Sequence, residues 1–146
     1  MKTLVLGVGN LLLQDEGVGI HLVRALENET LPPDVDILDG GTGGLHLLHW
    51  LQGYDRLILV DATLDHHPAG TIRLIRPRYA SDFPPLMSAH EIGLRDMIAA
   101  MVLCGDCPTI DLLVISVNKV GDLGVNLTPQ VAQAIPELVR WIKASV

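Results

Sequence analysis

Three side chains of types that ligate divalent metals are spread along the sequence: Glu16, Asp61 and His90. Glu16 and Asp61 follow the first and the third predicted strand, and the loop before His90 is long enough to return to the same edge of a sheet. Two carboxylates and an imidazole suit ions such as Ni²⁺, Zn²⁺ or Co²⁺, and three protein ligands leave coordination positions open for water or substrate. The residue types alone also permit structural roles: a first-turn acid, a strand-end hydrogen-bond acceptor and a structural histidine.

The stretch GVGNLLLQDEGVG at residues 7–19 also has features of a dinucleotide-binding turn, because its glycines directly follow an apolar strand. The sixth position of the G-x-G-x-x-G pattern is Leu12, however, and Asp15 and Glu16 put negative charge where a pyrophosphate would bind. Asp39 follows the motif by about 30 residues, whereas the ribose-binding acid follows it by about 20. A dinucleotide site stays a weak alternative, and we expect Asp15 to cap the first helix.

The elements that must position these residues alternate as strand and helix patterns. Strands are predicted at residues 2–9, 35–38, 55–63, 71–77 and 110–117. Helices are predicted after Asp15 and at residues 45–51, 91–104 and 127–146. The alternation predicts a single α/β domain over residues 1–146, a three-layer sandwich with helices on both faces of a twisted sheet. The five strands are expected to be mostly parallel, with one antiparallel edge strand.

Further predictions concern the C-terminal ends of the strands and the last helix. Ligands of such sheets bind beyond the C-terminal ends of the strands, where Glu16, Asp39 and Asp61 are expected. In the last helix, Thr128 is the expected cap, and Pro129 is the expected first residue because a missing N–H costs nothing there. Pro136 is expected to kink that helix.

Composition argues against two classes of partner. The formal net charge is −7 and aromatic residues make up 3% of the chain, which disfavours contact with nucleic acid. No apolar run approaches the roughly 20 residues that span a bilayer and no leader pattern precedes the first strand, so we expect a cytoplasmic protein with no membrane contact. Cys104 and Cys107 form a C-x-x-C without further zinc ligands at a recognisable spacing, which favours incidental thiols over a redox or metal role.

Four motifs resemble those of the [NiFe] hydrogenase maturation endopeptidases. They are GVGNLLLQDEGVG at 7–19, DGGTGG at 39–44, LVDA at 59–62 and SAHEIGL at 88–94. The resemblance extends from the first strand to about residue 104, in the family's order and spacing. Residues 116–128 depart from the family pattern, which bears on which hydrogenase is the client.

The resemblance implies an endopeptidase that removes the C-terminal peptide of a nickel-loaded [NiFe] hydrogenase large-subunit precursor. It assigns the metal ligands to Glu16, Asp61 and His90, and it gives Asp39 a part in substrate recognition or catalysis. The nickel is supplied by the precursor, and zinc or cadmium is expected to substitute in vitro. The family works as a one-to-one encounter with its client, so we expect a monomer.

The absence of G-x-S-x-G and H-E-x-x-H motifs leaves an activated water as the expected nucleophile. The catalytic residues are expected to be Asp39, Glu16 and Asp61, acting as a metal-dependent or an aspartic-type endopeptidase. Either a metal-polarised water or a neighbouring carboxylate, for which Asp39 is the candidate, would start the reaction. The alternative is a non-enzymatic nickel checkpoint or carrier that uses the same three ligands.

Overall fold

A computed structural model describes residues 1–41, 49–77, 103, 105, 108–118 and 122–146. Within these residues the chain forms one five-stranded sheet. Its strands are β1 (Thr3–Val8), β2 (Val35–Gly41), β3 (Arg56–Thr63), β4 (Ile72–Ile75) and β5 (Thr109–Ser116). Their order across the sheet is β2-β1-β3-β5-β4. All five predicted strands are therefore confirmed, with ends that differ by a few residues.

The strand directions also agree with the prediction. β1 runs parallel to both β2 and β3, and β3 runs parallel to β5. The short β4 lies antiparallel to β5 at one edge, with Ile72 opposite Ile115 and Ile75 opposite Leu112. The central strands β1 and β3 are buried along almost their whole length, whereas β4 is partly exposed. The mostly parallel α/β sheet with one antiparallel edge strand is confirmed.

Helix α1 (Val18–Leu26) covers one face of the sheet together with the C-terminal helices. Its predicted apolar face is buried, because Val18, Leu22, Val23 and Leu26 are each 0–1% exposed. The opposite face carries a second apolar cluster that includes Leu6, Leu59 and Leu51. The predicted helix at 91–104 lies outside the described residues except for Leu103, and most of the one at 45–51 lies outside them as well. No helix of the described part is long and apolar enough to cross a bilayer.

The C-terminal segment forms two helices where one kinked helix was predicted: α2 (Pro129–Ala132) and α3 (Ala134–Ser145). The break at Gln133 comes three residues before Pro136. Proline has no N–H to donate to the carbonyl of Ala132, so α2 cannot continue through this point. Pro136 then lies in the first turn of α3, where backbone N–H groups have no intrahelical partner. Pro129 is the first helical residue, as predicted.

Candidate active site

The chain leaves β1 through a glycine-bearing turn that folds back over the strand end. Gly9 has φ +143°, and a β carbon there would collide with the carbonyl oxygen of Glu16. The N–H of Asn10 donates to that same carbonyl at 3.3 Å, and the N–H of Glu16 donates to the carbonyl of Leu13 at 3.2 Å. Gly9 is therefore needed because the chain packs on itself here. The backbone of Glu16 fills the space beside Gly9 that a pyrophosphate would need, which argues against the dinucleotide alternative.

Two further glycines of the motif bring α1 against the sheet. A β carbon on Gly7 would collide with the Gly19 carbonyl, and one on Gly19 would collide with the carbonyls of Val8 and Val60. Such clashes involve backbone atoms, which cannot move aside as flexible side chains do. The start of α1, and with it the turn that bears Glu16, is thus set at close distance from β1 and β3.

Glu16 lies in a short 3₁₀ turn (Gln14–Gly17) that precedes α1 and packs against β3. Its side chain is buried, with 7% of the residue exposed. Asp61 is fully buried near the C-terminal end of β3, and its Oδ1 accepts a hydrogen bond from the N–H of Ala62 at 2.8 Å. The proposed strand-end acceptor role of Asp61 is thus real, and this hydrogen bond orients the carboxylate. The fold brings both acids to the same edge of the sheet.

Asp39 lies at the end of β2 and is exposed to solvent. Its Oδ1 accepts a hydrogen bond from the N–H of Gly41 at 2.9 Å, and Gly41 has φ +52°. In the sheet register, Gly7 of β1 is opposite Asp39 on one side and opposite Val60, the neighbour of Asp61, on the other. Asp39 and Asp61 therefore lie on the two strands that flank β1, and these two strands are about 10 Å apart.

His90, the third predicted metal ligand, lies outside the described residues, as do Cys104 and Cys107. Among the residues that the structure describes, no group of three His, Cys, Asp or Glu side chains could hold a metal ion. The structure thus places two of the three predicted ligands at one edge of the sheet, and the ligand set itself stays a prediction.

Asp15 does not cap the first helix, and that prediction is wrong. No side-chain cap hydrogen bond is present at the start of the 3₁₀ turn or of α1. The chain enters α1 through the 3₁₀ turn, so Asp15 lies inside the helical turn, beyond the position from which a cap reaches N–H groups. Its carboxylate instead accepts two hydrogen bonds from Thr128, at 2.8 Å from the backbone N–H and at 2.7 Å from the hydroxyl.

Thr128 is at the N-cap position of α2, as predicted, but its hydroxyl makes no cap hydrogen bond and instead donates to Asp15. Asp15 and Thr128 are 113 residues apart in the chain. The pairing joins the turn that bears Glu16 to the segment before α2. Sequence reasoning missed this role because each residue has a plausible local function and no local pattern couples them.

The same segment, residues 122–128, is joined to the motif turn by backbone hydrogen bonds. The N–H of Gln14 donates to the carbonyl of Gly124, and the N–H of Gly124 donates to the carbonyl of Leu12, both at 2.8 Å. Burial lowers the pKa of His21 on α1, and a hydrogen bond with the backbone of Val125 acts in the opposite direction. A part of the chain that departs from the motif pattern thus borders the Glu16 turn.

Known proteins are similar to this chain in both sequence and fold. The model of the family described as hydrogenase maturation protease matches residues 20–145. The hydrogenase 2 maturation protease of Escherichia coli K12 is 37% identical over the whole of this chain and 91% of its own length. The HupD hydrogenase expression/formation protein of Rhodobacter capsulatus is 39% identical over 98% of this chain and 72% of its own length.

A solved structure of the hydrogenase maturating endopeptidase HybD from E. coli superposes with a TM-score of 0.89. It is 36% identical, over 99% of this chain and 91% of its own. This similarity of sequence and fold makes the protein a hydrolase that cuts peptide bonds. The chain belongs to the hydrogenase maturation protease family, and the resemblance drawn from its motifs is confirmed.

Proposed function

We propose that this protein removes the C-terminal peptide of a nickel-loaded [NiFe] hydrogenase large-subunit precursor, and that Glu16, Asp61 and His90 bind the nickel which the precursor presents. The observation that carries this proposal is the pair of buried carboxylates, Glu16 and Asp61, at the C-terminal edge of the sheet. Buried carboxylates attract a cation more strongly than exposed ones do, because little water is present to screen the attraction.

Asp39 is the candidate general base because it differs from the two buried acids in its access to water. Its exposed carboxylate would take a proton from water as the water oxygen attacks the scissile carbonyl carbon. The proton would then pass to the amide nitrogen as the C–N bond breaks. The precursor's nickel, held by the other two acids and His90, would register the scissile bond beside this water.

The central test incubates Glu16→Gln and Asp61→Asn with nickel-loaded precursor and follows shortening of the large subunit on a gel. Each variant is expected to keep its circular dichroism spectrum and to lose at least about 100-fold in rate. Glu27→Gln, a change in an exposed acid just after α1, is the matched control and should process normally. Full activity of Glu16→Gln would refute the assignment. A wild-type protein that binds the precursor and leaves it intact would favour the nickel carrier.

The His90 assignment has its own test by isothermal titration with Ni²⁺, and with Zn²⁺ or Cd²⁺ as substitutes. His90→Ala should bind metal much more weakly, and wild-type affinity should fall at acidic pH, because a ligating imidazole must be unprotonated. The control is a double change of His66 and His67, adjacent loop histidines that could collect added metal. Loss of binding in the control and retention in His90→Ala would overturn the three-ligand site.

A further inference from the structure

The described residues include seven large apolar side chains that are exposed, and three of them lie together on two hydrogen-bonded segments. Leu12 of the motif turn is 61% exposed, and Leu123 and Val125, which flank Gly124, are 82% and 53% exposed. The N–H of Gly124 donates to the carbonyl of Leu12, so the backbones of these three residues are adjacent, and together they are here termed the Leu123 patch. Contiguous exposed apolar side chains mark interaction surfaces more often than isolated ones do.

The patch is held in place on several sides. Leu13 and Gly124 form a parallel bridge, and Asp15 binds both polar hydrogens of Thr128 at the end of the same segment. His21 of α1 lies beside the backbone of Val125. An apolar surface that is ordered before binding loses little conformational entropy when a partner covers it.

We infer that the Leu123 patch is the surface on which the large-subunit precursor docks. This inference rests on the proposed function, because it takes the precursor's nickel to Glu16. Leu12 lies four residues before Glu16, at most about 14 Å along an extended chain. A stable interface covers about 800 Å² per partner, equal to a disc roughly 16 Å in radius, so a precursor centred on Glu16 would cover Leu12 and the segment bonded to it.

Contact with the precursor also accounts for the position of the patch beside the site. Interfaces have an apolar core within a polar rim, and the patch borders the turn that bears Glu16. The partner chemistry required is an apolar surface of the precursor next to its nickel. A second copy of this chain is the competing occupant, and the experiment must distinguish the two.

The test measures KM and kcat for nickel-loaded precursor with Leu123→Ser, Val125→Ser and Leu12→Ser. Each change removes one apolar side chain that docking would bury. It should raise KM about tenfold and leave kcat unchanged, because docking precedes the chemical step. Leu103→Ser, at a leucine that is 87% exposed, is the matched control and should keep the wild-type KM. Nickel titration of the free variants and their melting temperatures should match wild type.

The outcomes separate this inference from the function on which it rests. A wild-type protein that cleaves nothing refutes the proposed function. Normal cleavage by wild type with an unchanged KM in all three patch variants overturns the docking surface alone. Sedimentation adds a third readout: a wild-type dimer that Leu123→Ser dissociates would assign the patch to self-association and overturn the inference, whereas a monomer throughout supports it.

Discussion

Asp15 and Glu16 are adjacent, similarly buried acids that lie against different parts of the fold. Asp15 binds Thr128 and so joins the motif turn to the segment before α2. The turn that bears Glu16 packs against β3, the strand that carries Asp61 near its C-terminal end. The 3₁₀ turn separates their side chains, because neighbouring residues in a turn of three residues point in directions about 120° apart. One acid thus supports the local fold, and its neighbour is the one assigned to the proposed metal site.

At the residue scale, Asp15→Ala should lower the free energy of unfolding by about 2–3 kcal/mol. The change leaves the N–H and the hydroxyl of Thr128 without their acceptor in a partly buried place. Urea denaturation of Asp15→Ala, Thr128→Ala and the double variant measures the coupling. We expect an interaction energy of about 1 kcal/mol or more, and additive losses would contradict the pairing.

At the scale of elements, the distance between α1 and the sheet determines the position of Glu16. Gly7 and Gly19 let the backbones of β1 and α1 approach more closely than any side chain would allow. The apolar face of α1 then fills the space between sheet and α3, with Leu22 and Leu138 both fully buried. The close packing of α1 on the sheet therefore also determines the position of the proposed site.

Gly19→Ala is expected to cost about 3 kcal/mol of stability and to reduce processing, because its β carbon meets the backbone carbonyls of Val8 and Val60. Gly53→Ala is the control. A β carbon there meets nothing within 4 Å, so only its positive φ of +86° opposes the change, at about 1 kcal/mol, and processing should persist. Equal losses in the two variants would show that close packing of α1 is not the cause.

At the scale of the whole molecule, a charge network at the other end of the sheet is separate from the site. Arg56 at the start of β3 donates to Asp111 of β5 at 3.0 and 2.6 Å and to the carbonyl of Ser145 at 2.8 Å. Arg76 donates to the second oxygen of Asp111 at 2.9 Å. The network links the sheet to the end of α3, and its loss should affect stability with no direct effect on chemistry.

This network predicts how stability depends on pH. Burial opposes ionisation of Asp111, but the hydrogen bonds from Arg56 and Arg76 outweigh it and lower the pKa of this carboxyl. Burial likewise opposes ionisation of Asp65, and hydrogen bonds from Ser116 and the His67 backbone, with Arg73, lower its pKa. A carboxyl whose pKa is lower in the folded state stabilises the fold above its unfolded pKa of about 3.9, and this contribution is lost as pH falls through the folded value.

The free energy of unfolding should therefore fall as the pH drops below about 4, and Asp111→Asn should make this fall shallower. At pH 7 the same variant should lose about 3 kcal/mol, because it leaves the partly buried Arg56 without its charge partner. Asp34→Asn, which removes an exposed pair with the terminal amine, is the control and should change stability by less than about 1 kcal/mol. Denaturant curves between pH 3 and 7 measure both effects.

The sequence by itself determined the features that repeat locally. Apolar runs and period-two alternation predicted five strands and the antiparallel edge strand, and the spacing of Val18, Leu22 and Leu26 predicted the buried face of α1. The motifs identified the family, and Asp39 and Asp61 were expected at the strand ends where the structure has them. Short-range side-chain and backbone preferences are enough for these features.

Only the tertiary structure decided which partner each polar group takes. Asp15 has a good local role as a cap, yet its carboxylate binds Thr128 because the fold brings a hydroxyl and an N–H to it from 113 residues away. No residue pattern near Leu123 and Val125 predicts that they lie beside the Glu16 turn. The hydrogen bonds of Gly124 place them there, and these bonds form only when the chain has folded. Hydrogen bonds and contacts between distant segments depend on the assembled sheet, and no residue pattern within one segment encodes them.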